Sequence, residues 1–377
     1  MFGFTRLASY DYFAHVERAL RKRFADAGHG MVSHVSGVLP TASVRRRATK
    51  LRALIESSYV GDGPIHLVGH STGGLDARLV MSPAASIASE QDSGVWFEHV
   101  RSVTTMNTPH YGTPLASFFA TSRGQQALYL LSAFTVVGLS VGATPLAIMS
   151  ALIGLVTRGD SVLGLRVLDR SMESLLALVD DARSPELRNY LKAITNDQGA
   201  VLQLSPEAMD LMLAGFADRP GVLYQSTVSM SPMPGPMKWL RTFGRPMQAA
   251  SLALFTALHQ VTANYDKRYP CGSFSPEGKT TPSTADPFAE ALLMNAFGVA
   301  PDLRANDGCV PLRSQIWGKL VWAGLGDHLD VLGHYRDDTP EQQPQLRHHD
   351  WLASGSQFDD ARFASLMDAI ARGMLNA

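Results

Sequence analysis

The amino-acid sequence predicts an α/β fold with a largely parallel sheet. Short apolar, β-branched runs alternate along the chain with segments whose apolar residues recur at helical spacing. Such alternation is typical of parallel strands that are joined by helices packed on the sheet. We expect strands within residues 31–38, 65–68, 101–106, 221–230 and 319–323.

Three amphipathic helices have clear boundaries in the sequence. Residues 11–27 place apolar side chains at helical spacing. Ser43 is a suitable N-terminal cap for a helix over 43–57, on which the basic run 45–47 is expected to form a solvated face. The third helix, over 358–375, closes the chain.

Length and composition define the class of protein. The 377 residues suit two or three domains, or one α/β domain enlarged by insertions. A hydrophobic content of 45% argues against disorder, and a net charge of −1 argues against nucleic-acid binding by the whole chain. We expect one domain over 1–377, with a helical insertion at 115–220 and a second insertion at 231–300. No secretory signal is visible, so the localisation is not predicted.

The strongest local motif is Gly-His-Ser-Thr-Gly at residues 69–73, between the strand 65–68 and a helical pattern. In such a strand–turn–helix unit, small flanking residues permit a strained turn that exposes the serine hydroxyl. Ser71 is therefore the candidate nucleophile. The N–H of Thr72, at the start of the helix, is a candidate oxyanion donor, whereas His70 is expected to be structural. The alternative is a glycine-rich turn with an ordinary serine.

Several further segments accompany this motif. They read Thr-Pro-His-Tyr-Gly-Thr at 108–113, Asn-Asp-Gly-Cys-Val-Pro at 306–311 and Asp-His-Leu-Asp at 327–330, with Phe-Gly-Phe at 2–4 and Tyr-Phe at 12–13. Together they resemble the bacterial triacylglycerol lipases and esterases of the α/β-hydrolase superfamily, over most of the chain but weakly in its middle. The resemblance implies an α/β-hydrolase fold, a mostly parallel sheet flanked by helices, with a helical lid insertion.

Hydrolases of this fold carry their catalytic triad in the order serine, acid, histidine. His328 follows the last predicted strand, and both His328 and Asp307 match the family's motifs. Asp307 would orient the imidazole, and His328 would take the Ser71 proton and pass it to the leaving alcohol. The alternatives are a plain Asn-Asp-Gly turn for Asp307, and His334 or the pair at 348–349 as the base.

The resemblance also implies a bound calcium ion. In these lipases the aspartate of the His-Leu-Asp motif, here Asp330, is a calcium ligand, and Asp286 lies near the expected place of a second one. Two carboxylates together with loop carbonyls suit calcium. The alternative is that Asp330 hydrogen-bonds within its own loop. No cofactor is expected for the chemistry itself.

The beginning of the sequence departs from the family pattern. In the resembling lipases an apolar strand and His-Gly precede the segment that matches 1–4, and the residue aligned with Met1 donates the second oxyanion N–H. Nothing precedes Met1 here. We therefore expect the N-terminal strands of the fold to be missing, either because the natural chain starts upstream or because this product is impaired.

A long uncharged stretch follows the Thr-Pro-His loop. No Asp, Glu, Lys or Arg occurs between Arg123 and Arg158. A membrane span needs about 20 apolar residues, but glycines and a Thr-Pro break predict two shorter helices instead. The resembling lipases carry their apolar lid at this place. A lid or acyl-pocket wall is therefore favoured over buried core helices or a membrane span.

These observations predict a serine hydrolase that cleaves carboxylic esters of hydrophobic acyl chains through an acyl-enzyme. Its expected partners are a hydrophobic ester or lipid and, transiently, a lipid surface. Two alternatives stay open. One is an acyltransferase with the same triad, and the other is a catalytically impaired lipid-binding homologue.

Overall fold

The computed structural model describes residues 6–7, 10–61, 63–85, 87, 94–141, 153, 156, 189, 192–194, 196–264, 287–335 and 352–377. The described helices are α1 (Ala14–Asp26), α2 (Val44–Ser58), α3 (Thr72–Met81), α4 (Pro114–Phe119), α5 (Ser122–Val141), α6 (Gly199–Gln203), α7 (Pro206–Leu213), α8 (Pro236–Arg241), α9 (Pro246–Thr262), α10 (Pro287–Phe297) and α11 (Asp360–Leu375). Much of the predicted insertion at 115–220, and part of that at 231–300, lies outside the described residues.

Four strands of the described residues form one parallel sheet. They are β1 (Ile65–His70), β2 (Val100–Met106), β3 (Leu223–Met230) and β4 (Lys319–Leu325), and they lie side by side in this order. The strands predicted at 65–68, 101–106, 221–230 and 319–323 are thereby confirmed. Because all four run in the same direction, their carboxyl ends and the loops that follow lie at one edge of the sheet.

Helices cover both faces of this sheet. Met106 of β2 packs in a cluster with α1 and α11, whereas Val103 of the same strand packs in a second cluster with α2 and α3. Alternate residues of a strand point to opposite faces, so the two clusters lie on opposite sides. The predicted fold class, a mostly parallel sheet flanked by helices, is confirmed.

The strand expected at 31–38 is absent: the described residues 29–39 have no regular secondary structure. Val32 is 82% exposed. Hydrogen bonds from Arg21 of α1 to the Met31 carbonyl and the Ser33 hydroxyl hold the segment instead. A strand needs a neighbouring strand to satisfy its backbone hydrogen bonds. The segment 31–38 has none, because in the described sheet the edge strand β1 pairs with β2 alone.

The basic run on α2 is only partly solvated. Arg45 and Arg46 are exposed, but Arg47 is buried, and its Nε donates to both carboxylate oxygens of Asp76 at 3.0 Å. Helical periodicity explains the difference, because Arg47 shares the inward face of α2 with Val44 and Ala48. The expectation of a fully solvated basic face was therefore wrong for Arg47.

None of the helices that the structure describes is both long and apolar enough to cross a bilayer. Helix α5, which begins the uncharged stretch, packs Leu128, Leu130 and Leu131 into the cluster of α1 and α11.

Candidate active site

Ser71 occupies a strained turn between β1 and α3. Its φ of 54° and ψ of −129° place a non-glycine residue in the left-handed half of conformational space. Such a conformation costs about 1–3 kcal/mol and persists only where surrounding contacts enforce it. Here the Ser71 N–H donates to the Met106 carbonyl of β2 at 2.9 Å. The strand–turn–helix arrangement predicted for the motif is present.

Two glycines around Ser71 are needed for steric reasons. A methyl group at Gly69 would overlap the backbone of Gly73 and Gly74, and one at Gly74 would overlap the Thr108 side chain. A methyl group at Gly73 meets nothing within 4 Å. The turn therefore depends on Gly69 and on Gly74, which lies just beyond the five-residue motif.

Asp307 lies in the loop between β3 and β4 and is fully buried. Its Oδ1 accepts hydrogen bonds from the N–H groups of Cys309 at 2.8 Å and Val310 at 2.7 Å. Its Oδ2 accepts from Nδ1 of His328 at 2.7 Å. The structure thus brings together the predicted acid and the predicted base.

Two amide side chains that the sequence analysis did not identify also hold this carboxylate. Asn107 Nδ2 donates to Asp307 Oδ2 at 2.8 Å and to Ser229 Oγ at 2.6 Å. Gln315 Nε2 reaches Asp307 Oδ2 at 3.3 Å. Asn107 has a φ of 48°, a conformation that asparagine tolerates better than most residues. The sequence feature that could have indicated this role is the position of Asn107 directly after β2.

His328 follows β4 and is buried against Asp307. Its N–H also donates to the Asp307 carbonyl at 2.9 Å, so both main chain and side chain fix the pair. Because an ionised carboxylate only accepts hydrogen bonds, Nδ1 carries the ring proton. This arrangement leaves Nε2 as the ring nitrogen that can accept a proton, as a general base requires.

His70 connects the nucleophile turn to the histidine loop. Burial is the main cause that lowers the pKa of His70 well below its ordinary value, so the ring is neutral. Its Nε2 lies 2.8 Å from the His328 carbonyl and its Nδ1 lies 3.0 Å from the Tyr12 hydroxyl. A carbonyl can only accept, so Nε2 donates to it and Nδ1 accepts from Tyr12.

The alternative bases have different surroundings. His334 is buried, and its Nε2 lies 3.3 Å from the Tyr12 carbonyl. His348 and His349 lie outside the described residues. In the described part of the chain, His328 is the histidine that bonds the Asp307 carboxylate.

Of the two predicted oxyanion donors, Thr72 and Met1, the structure describes Thr72. Thr72 is the first residue of α3 and is buried. Backbone N–H groups in the first turn of a helix have no intrahelical partner, and the helix dipole there favours negative charge. Met1 lies outside the described residues.

The predicted calcium ligands are only partly described, because Asp286 lies outside the described residues. Asp330 Oδ2 accepts from the Asp327 N–H and from Ser356 Oγ, each at 2.7 Å. Calcium requires a shell of acceptor oxygens, whereas these neighbours donate hydrogen atoms. The described contacts thus fit a hydrogen-bonded loop better than a calcium shell. Calcium binding by Asp286 and Asp330 stays a prediction.

Asp307, Cys309 and His328 also place possible metal ligands within 4.8 Å of one another. Burial, together with the charge of Asp307, raises the pKa of the Cys309 thiol well above its ordinary value. The thiolate that a metal prefers is therefore disfavoured. Because the Asp307 oxygens already accept several hydrogen bonds, this cluster is better suited to orienting an imidazole.

Comparison with known proteins finds similar solved structures at low sequence identity. No protein-family model and no curated protein matches the chain. Similar solved structures include EstA from Clostridium botulinum, with 16% identity, a TM-score of 0.45 and coverage of 92% of this chain and 81% of EstA. The metagenomic carboxyl esterase MGS0156 has 13% identity and a TM-score of 0.46, and the match covers 95% of this chain and 69% of the esterase. Staphylococcus hyicus lipase has 16% identity and a TM-score of 0.42, and the match covers 99% of this chain and 95% of the lipase.

The candidate residues lie at one edge of the parallel sheet. The serine turn follows β1, the acid follows β3, and the histidine follows β4 at the same edge of the parallel sheet.

Proposed function

We propose that the protein is a serine hydrolase of carboxylic esters with hydrophobic acyl chains, in which Ser71, His328 and Asp307 act as the triad. The observation that carries the proposal is the buried contact of 2.7 Å between His328 Nδ1 and Asp307 Oδ2. This pair lies at the sheet edge where the Ser71 turn is held in a strained conformation. His70, the neighbour of Ser71 in the chain, contacts the His328 carbonyl and joins the two parts.

The proposed reaction proceeds through an acyl-enzyme. His328 Nε2 removes the Ser71 hydroxyl proton while Oγ attacks the ester carbonyl carbon, and Asp307 stabilises the resulting imidazolium. The Thr72 N–H stabilises the oxyanion. Collapse of the intermediate transfers the proton from His328 to the leaving alcohol and leaves the acyl group on Ser71. A water molecule, deprotonated by His328, then attacks the acyl carbon. The bond from this carbon to Ser71 Oγ breaks, the proton passes from His328 to Oγ, and the carboxylic acid leaves.

The surroundings of His328 support an apolar acyl group. Leu329 and Val331, which follow the histidine, belong to the same buried apolar cluster as Met106 and as Leu128 and Leu131 of α5. An acyl chain that enters beside these residues would be removed from water, which is favourable in proportion to the apolar area buried. Helix α5, which belongs to the predicted lid at 115–220, contributes to this cluster. Turnover that rises sharply above the solubility limit of the ester would support such a lid.

A fluorophosphonate probe tests the proposal directly, because covalent labelling requires an activated serine. We expect mass spectrometry to find the label on Ser71 in the wild-type protein and none on that position in Ser71→Ala. Ser71→Ala, Asp307→Asn and His328→Ala should each lower p-nitrophenyl ester hydrolysis by about 10⁴-fold or more. The exposed Ser57→Ala is the matched control and should behave as the wild type.

Two outcomes would contradict the proposal: absence of labelling in the folded wild-type protein, or full activity of His328→Ala. Product analysis with 1-butanol present separates hydrolysis from acyl transfer. A butyl ester as the main product would show that an alcohol takes the place of water in the second step. The protein would then be an acyltransferase that uses the same triad.

A further inference from the structure

The segment between β3 and α9 exposes large apolar side chains. Met237, Leu240 and Phe243 are 66%, 65% and 92% exposed, and Met233 and Trp239 are 41% and 38% exposed. We call residues 232–245 the basic–apolar segment. Single exposed apolar residues are common on soluble proteins, but several within one short segment mark an interaction surface.

The charges of this segment all have the same sign. It contains Lys238, Arg241 and Arg245 and no Asp or Glu. Arg241 and Arg245 are exposed. Aromatic and aliphatic side chains interleaved with basic residues are typical of segments that lie in the interface of an anionic lipid layer.

The basic–apolar segment is tied to both loops of the candidate active site. Just before it, the Ser231 N–H donates to the carbonyl of Asn306, the residue preceding Asp307, at 3.0 Å. Lys238 Nζ donates to the Ser354 carbonyl at 3.4 Å, and Ser354 Oγ donates to Asp327, the residue preceding His328, at 2.7 Å. A surface bound to this segment would therefore lie beside the triad loops.

We propose that the basic–apolar segment docks the protein on an anionic lipid surface and thereby holds the active site at the lipid layer. The choice of a lipid over a second copy of the chain follows from charge, because two copies would bring like charges together. The surface is separate from the predicted lid at 115–220. The catalytic benefit of docking rests on the proposed function, whereas docking itself does not.

Vesicle flotation of the full chain tests the docking. We expect binding to phosphatidylcholine vesicles that contain phosphatidylglycerol, and weaker binding to phosphatidylcholine alone. Leu240→Ser with Phe243→Ser, and separately Arg241→Glu with Arg245→Glu, should each weaken binding to the anionic vesicles by about tenfold or more. Leu211→Ser on α7, where the leucine is 79% exposed, and Lys50→Glu on α2 are the matched controls and should bind as the wild type.

The test keeps docking and catalysis apart. Ser71→Ala should float with anionic vesicles as the wild type does, whatever the fate of the hydrolase proposal. Binding that is unchanged in both double variants would overturn the docking proposal. So would equal binding to vesicles with and without phosphatidylglycerol. Self-association in sedimentation velocity that the Leu240 and Phe243 substitutions abolish would assign the surface to a second copy instead.

Discussion

The His70 ring donates a hydrogen bond to the main-chain carbonyl of His328 at 2.8 Å, although the two residues are 258 positions apart in the chain. The contact joins the turn that carries Ser71 to the loop that carries His328. His70 therefore acts as a positioning residue, since it holds the carbonyl of the proposed base and not the reacting atoms.

Replacing His70 by alanine should lower kcat about 10- to 100-fold with little change in KM, because a small displacement of the His328 loop misaligns the proton transfer. Tyr12→Phe removes only the hydroxyl that bonds Nδ1 of His70, and should cost less. Steady-state kinetics on a soluble ester and the melting temperature are measured together. A lower melting temperature with unchanged kcat would assign His70 to packing alone.

Asn107→Gly is expected to lower kcat about tenfold. Glycine keeps the positive φ of this position but removes the amide that donates to Asp307, and hydrogen bonds to charged groups contribute about 1.5–3 kcal/mol. Asn264, two residues after the end of α9, is exposed, and Asn264→Gly is the matched control. Turnover equal to that of the wild type would show that the other donors to Asp307 suffice.

The glycines after Ser71 should differ sharply in tolerance. Gly74→Ala forces a methyl group against Thr108 and should destabilise the fold by about 1–3 kcal/mol. Gly73→Ala meets open space within α3 and should be neutral or stabilising by up to about 1 kcal/mol. Urea denaturation of the two variants measures the difference. A reversed ranking would contradict the packing described around the turn.

Asp76→Asn is expected to lower the free energy of unfolding by about 3–5 kcal/mol, because it leaves the buried Arg47 guanidinium without its carboxylate. The pair Arg47→Met with Asp76→Leu should restore most of the loss. Arg46→Met, which breaks a mostly exposed ion pair with Asp197, should change stability by about 1 kcal/mol or less. Urea denaturation measures the free energy of unfolding of all three variants. Equal effects for Asp76→Asn and Arg46→Met would refute this ranking.

Acid should destabilise the protein through its buried histidines. Burial is the main cause that lowers the pKa of His70 and of His110 well below the ordinary value of 6.5. Below that pH the unfolded chain binds protons that the folded protein does not. The free energy of unfolding therefore falls as the pH drops through about 6.5, by about 1.4 kcal/mol per pH unit for each histidine.

His110→Gln should remove one of these contributions and make the loss of stability between about pH 6 and about pH 5 correspondingly smaller. Urea denaturation at several pH values measures it, with the exposed His29→Gln as control. A slope identical to that of the wild type would mean that the folded protein protonates His110.

Features encoded by neighbouring residues could be predicted from the sequence. Strands β1 to β4, helices α1, α2 and α11 and the Ser71 turn depend on local periodicity and on small residues around one serine. The closeness of Asp307 and His328 was also expected, from chain order and the family resemblance.

Features that depend on distant partners could not be predicted. The segment 31–38 has a strand pattern but no neighbouring strand in the described sheet. Arg47 lies in a basic run, yet its burial depends on Asp76 of another helix. Asn107 and Gln315 meet Asp307 only after β2, β3 and β4 are in register. The lid and calcium binding stay predictions, since residues 142–152 and 157–188 of the predicted insertion, and Asp286, lie outside the described part.

The order of the strands has a consequence for how the protein acquires its site during folding. Ser71, Asp307 and His328 follow different strands of one parallel sheet, so their meeting requires closure of long chain loops. Contacts at such separations form slowly compared with helices. In a refolding experiment, helical circular dichroism should therefore recover well before ester turnover does. A nascent chain lacks one residue of the proposed triad until His328, which follows β4, has been synthesised.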